Sequence, residues 1–73
     1  MTHDPKLVRL MRRIVRGMEP LTREVFLMNS LAERDYADIA DWLGITAGEV
    51  EERLAEAILE ICRGLRDDAG PGR

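Results

Sequence analysis

The sequence predicts an all-α fold, one small domain of four helices, and three observations carry that prediction. Strand formers are scarce, while Leu, Ala, Glu and Arg, all good helix formers, abound. Apolar residues recur at spacings of three and four rather than two. Residues that cap or stop helices stand at the ends of those periodic stretches. With 73 residues, 45% apolar and 34% charged, the chain suits a soluble domain with a limited core better than a disordered segment.

Residues 1–4 read as a flexible lead in which His3 is inert, with Asp4 as N-cap and Pro5 at the first helical position. The first helix is expected over 5–16, stopped by Gly17 as its C′ residue. Leu7, Leu10, Met11, Ile14, Val15 and Met18 fall on one side of it. Lys6, Arg9, Arg12, Arg13 and Arg16 form a basic face on the other. Pro20 opens the second helix, which is expected to reach 31. Leu21, Val25 and Met28 make its apolar row, Leu31 would extend that row, and Phe26 and Leu27 flank it. Asn29, Ser30, Glu33 and Arg34 form the connection that follows.

The next stretch, DYADIADWLGITAGEVEERL, organises the chain. Asp35 can cap a short helix over 36–43, with Asp38 three residues on and Ile39, Ala40 and Leu43 on one face. Gly44 stops it, because glycine adopts the left-handed backbone without a steric penalty. Thr46 and Glu49 have the spacing of a capping box and start a fourth helix over 47–65. Two helices around a short glycine-containing turn form a helix-turn-helix, here over 35–65. Ala40 is small enough to let the second helix approach. The whole domain is expected over 5–66, and residues 67–73, DDAGPGR, have the composition of a disordered tail.

The fourth helix has two apolar sides. Val50, Leu54, Ala57, Ile61 and Leu65 form the core stripe. Ala55, Leu59 and Cys62 form a second row, with Ile58 between the two and Glu49, Glu52, Glu56 and Arg63 flanking. That second row is more than so small a core can bury.

The net charge of −3 is unevenly spread. Six cations against two acids give residues 1–23 a charge of +4, and five cations against twelve acids give residues 24–73 a charge of −7. No apolar run approaches the roughly 18 residues that span a bilayer, and Arg9, Arg12, Arg13 and Arg16 interrupt any signal-peptide core. A cytoplasmic location without membrane contact is the default. Cys62 is the sole cysteine, which excludes an internal disulfide and a thiolate metal cluster. As a helical cysteine it reads as a packing residue. Asp35, Asp38 and Asp41 lack the spacing of a calcium loop. Phe26, Tyr36 and Trp42 read as core or core-edge residues. No nucleophile, base and oxyanion donor can be assembled, so neither enzymatic activity, a metal nor a cofactor is expected.

On these residues the chain resembles region four of bacterial sigma factors, especially the extracytoplasmic-function group. The resemblance lies in Arg23, Glu24, Val25 and Phe26, in Tyr36 with Asp38-Ile39-Ala40 and Leu43-Gly44-Ile45, and in Thr46, Gly48, Val50, Arg53 and Leu54. It implies a compact helix-turn-helix domain without a wing. Such a domain reads the promoter −35 element with its last helix and contacts the RNA polymerase flap or anti-sigma factors. On this length no counterpart of sigma region two is expected, so the resemblance implies a region-four module and not a complete sigma factor.

The sequence departs from the family at the reading head. The family usually carries Thr at the position of Glu49, Lys at Glu51 and Ser at Glu52, and basic or polar residues at Ala55, Glu56, Ile58 and Leu59. Three readings follow. In the first, the module acts by protein contact with RNA polymerase, an anti-sigma factor or a second copy, through Glu52, Ala55, Glu56, Leu59 and Cys62. In the second it is a DNA-binding regulator, with weak DNA contact through Arg34, Thr46, Gly48 and Arg53 and phosphate contact through the basic first helix. In the third it is a small helical interaction protein outside transcription.

Overall fold

The computed structural model describes residues 4–69, which form four helices: α1 (Pro5–Arg16), α2 (Pro20–Ser30), α3 (Tyr36–Leu43) and α4 (Ala47–Ala69). Each start follows from local chemistry. The Asp4 carboxylate accepts from the Lys6 backbone N–H at 3.0 Å, and Pro5 occupies the first turn of α1, where its missing N–H is harmless. Asp35 caps α3 by accepting from the Asp38 N–H at 2.9 Å. Thr46 Oγ1 caps α4 by accepting from the Glu49 N–H at 3.0 Å. The reciprocal half of that capping box does not form, because the Glu49 carboxylate turns towards Arg53 Nη2, 3.9 Å away.

The core lies beneath the α3–α4 turn. Val25, Ile39 and Val50 are fully buried, Ala40 and Leu54 nearly so, with Leu21, Met28, Leu43 and Ile45 packed around them. The α3–α4 unit is thereby joined to α2. Helix α4 is the spine: α1, α2 and α3 all contact it. Gly44 has φ +70°, ψ +34°, and its N–H donates to the Ala40 carbonyl. A Cβ built there would meet nothing within 4 Å, so the requirement for glycine is purely conformational. Gly44→Ala is expected to destabilise the domain by about 1 kcal/mol, and Gly44→Asn by clearly less, because asparagine tolerates the left-handed region. Thermal melts of the two variants check this, and equal losses would contradict it.

Four expectations change. Gly17 ends α1 in a right-handed conformation (φ −82°), donating to Arg13 and Ile14 carbonyls, so its left-handed freedom is unused. The chain turns instead because Pro20 forces Glu19 into an extended conformation (ψ 142°) while Met18 folds into the core. Leu31 does not extend the apolar row of α2: the helix ends at Ser30 and Leu31 is 77% exposed. Trp42 is no core residue either, at 73% exposed. Finally, α4 runs to Ala69 rather than ending at 65, so 67–69 are helix, not tail. No proline interrupts this part of the sequence before Pro71. The expected lead at 1–3 and tail at 70–73 lie outside the described residues.

Helix α1 has no buried residue and rests on the far half of α4. The contact is close: a Cβ on Gly64 would fall 2.5 Å from Ile14 Cδ1. Gly64, which weakens a helix intrinsically, is therefore the seat of α1.

Candidate interface of the fourth helix

The first three turns of α4 present Glu49, Glu51, Glu52 and Glu56, with Arg53 as the one cation among them. Acids in a first turn favour the helix dipole, which accounts for Glu49 but not for the later ones. Arg53 does not project freely. Its Nη1 donates to Glu19 Oε1 and, at 3.2 Å, to Glu56 Oε1. Its side chain is only 24% exposed. The same Glu56 oxygen accepts from the fully buried Thr22 hydroxyl at 3.2 Å. Glu19 and Thr22 each lie 34 residues before their partner on α4. The cluster thus rivets the start of α2 to α4 and satisfies the Thr22 hydroxyl, the one buried polar side chain among the described residues.

The four residues considered for nucleic acid are held by different neighbours. Thr46 caps α4, and Gly48 is exposed in its first turn. Arg34 lies over the exposed Trp42 ring, its guanidinium carbon 5.9 Å from the centroid, the outer limit of a cation–π contact. Arg53 faces inward to Glu19 and Glu56. A phosphate approaching α4 therefore meets carboxylates first, and capturing Arg53 requires breaking its internal pairs.

The second row of α4 is open to solvent. Ala55 and Cys62 are exposed, Leu59 is 54% exposed and neighbouring Ile58 56%. Cys62 is consequently a surface thiol rather than a packing residue. Glu52 and Glu56 border the row on the surface. On α1 the basic face, Lys6, Arg9, Arg12, Arg13 and Arg16, is exposed throughout. Sequence reasoning missed Glu19, Thr22 and Gly64, whose partners are far along the chain and leave no mark in local spacing.

No helix among the described residues is long and apolar enough to cross a membrane, and no group of His, Cys, Asp and Glu among them could hold a metal ion.

Fold and site together define a small helix-turn-helix module whose second helix is acidic. The family model for sigma-70, region 4 matches residues 9–61, and the chain belongs to that family. Searches of curated proteins and of solved structures return no match. Membership gives the chain a role in transcription initiation or its regulation, in a family whose domains engage RNA polymerase and DNA. These are transcription-factor modules and not an enzyme family. An interaction protein outside transcription does not fit this membership.

Proposed function

We propose that this sigma-70 region 4 domain acts in cytoplasmic transcription through a protein contact made by α4, and not by seating α4 in the major groove. The partner is RNA polymerase or an anti-sigma factor, and the surface is Ala55, Leu59 and Cys62 with Glu52 and Glu56 along their border. The motif at Arg23 to Phe26 favours the extracytoplasmic-function type of the family. One observation carries the reading: Arg53, the only cation in the first two turns of α4, is engaged by Glu19 and Glu56. DNA affinity comes largely from neutralising phosphates with Lys and Arg, and here that charge is already neutralised. An exposed acidic strip with an apolar centre has the composition of a protein-binding rim and core.

Leu59→Glu places a charge at the centre of this strip without touching the core. It is expected to weaken binding to core RNA polymerase or to the cognate anti-sigma factor by about tenfold or more, the scale of losing a buried anchor residue. Circular dichroism should be unchanged. Binding that is indifferent to Leu59→Glu and to Glu52→Lys with both partners would remove the proposal.

The exposed basic face of α1 supports a second reading, in which Lys6, Arg9, Arg12, Arg13 and Arg16 hold DNA phosphates. That binding would be sequence-independent and would fall steeply with salt.

A further inference from the structure

The apolar side of α1 is not closed by the rest of the domain. Between α1 and α2 runs an open groove of about 720 Å³, floored by Met11, Val15 and Leu27 and bordered by Arg12, Arg16 and Arg23. Arg23 Nη1 reaches from α2 to donate to the Arg16 carbonyl at 3.1 Å, so the border is held in place where α1 ends. No acid lines the groove. Its occupant should therefore be a helix with an apolar stripe and acidic flanks.

The same chain displays such a helix. The outer face of α4 carries Ala55, Leu59 and Cys62, flanked by Glu52 and Glu56, with Glu60 beyond them and Arg63 as the one cation on that flank. From 55 to 62 this stripe spans roughly 11 Å at 1.5 Å per residue. The groove wall along α2 from Arg23 to Ser30 spans the same roughly 11 Å. The charge division of the chain, +4 before residue 24 and −7 after it, makes the two surfaces attract between copies. We propose that the groove between α1 and α2 takes the acidic outer face of α4 from a second copy of this chain. The contact is that of one helix in a groove, which places it among small, transient interfaces rather than permanent ones. Self-association hides the strip that the proposed function gives to a protein partner, so such a partner would compete with it. The self-association itself does not depend on that reading.

The test is sedimentation of the full chain at low salt, over roughly 10–300 μM, where contacts of this size are populated. The expected species for the parent is heavier than the 8.3 kDa monomer. Arg12→Glu with Arg16→Glu should give a monomer at the same concentrations, and so should Glu52→Lys with Glu60→Lys. None of these four side chains forms an ion pair among the described residues, so the fold should survive, as circular dichroism would show. An equimolar mixture of the two variants should associate again. So should a single chain carrying all four changes, whose net charge equals the parent's. A parent that stays monomeric throughout overturns the proposal and leaves the groove to another protein's helix. Failure of the four-change chain to associate overturns it as well. All arms are read without DNA, polymerase or anti-sigma factor, so either result leaves the proposed function to its own test.

Discussion

Ile39→Ala is expected to lower the melting temperature by about 15 °C, or to unfold the domain outright at physiological temperature. Ile39 is fully buried and sits in the cluster that joins α2, α3 and α4. Truncating such a residue costs about 2–5 kcal/mol, the larger values where the surroundings cannot collapse into the cavity. A domain of this size holds a total stability of only about 3–5 kcal/mol. Each kcal/mol moves the midpoint of so short a chain by roughly 4–8 °C. Here collapse is hindered, because Val25 and Val50, already fully buried and stiff at χ1, lie in the same cluster. Thermal denaturation followed at 222 nm reads the effect, and a shift below about 5 °C would mean that this cluster is not the core.

Glu51→Lys combined with Glu52→Lys is expected to raise DNA affinity well above the parent's. Both positions are exposed on the early turns of α4 and make no ion pair among the described residues, so the substitution leaves the Arg53 cluster intact. At about 50 mM salt, counterion release is worth roughly tenfold in affinity per phosphate neutralised. Two lysines in place of two repelling carboxylates should therefore strengthen duplex binding by about a hundredfold and steepen the logarithmic salt slope by about two. Fluorescence anisotropy with a labelled −35 duplex reads both quantities. If affinity did not rise, the carboxylates would not be what keeps α4 off DNA, and the reason would lie in the shape of the helix instead.

The helices themselves were legible because their signals are local. Asp4, Asp35 and Thr46 cap helices as their spacing implies, and Gly44 adopts the positive φ that its place after Leu43 demands. Periodicity also found the stripe Val50, Leu54 and Ala57. What periodicity cannot show is whether another element covers an apolar face. Leu31 sits in suitable phase but no element covers it, and Trp42 carries only the Arg34 guanidinium over its ring; both are exposed. The seat of α1 was equally hidden, since Gly64 reads as a helix weakness until Ile14 is placed against it. At the candidate site the acids of α4 were plain from the sequence. The engagement of Arg53 was not, because its principal partner Glu19 is 34 residues earlier and only the packing of α2 on α4 brings them together.

That engagement has a stability consequence. Arg53→Ala is expected to cost about 1 kcal/mol, the upper range for partly exposed ion pairs joined in a network. Urea denaturation of the variant measures this, and a gain in stability would show that the cluster is not cohesive.

The most direct measurement is a titration of −35 promoter duplex with the parent chain at about 50 and 200 mM salt, repeated with Arg53→Ala. The expected result is binding no tighter than the non-specific range, roughly 10⁻⁴–10⁻⁶ M, with Arg53→Ala indistinguishable from the parent. Saturable, sequence-dependent binding below about 10⁻⁷ M that falls steeply with salt and vanishes with Arg53→Ala would contradict it, and would make α4 a reading head after all.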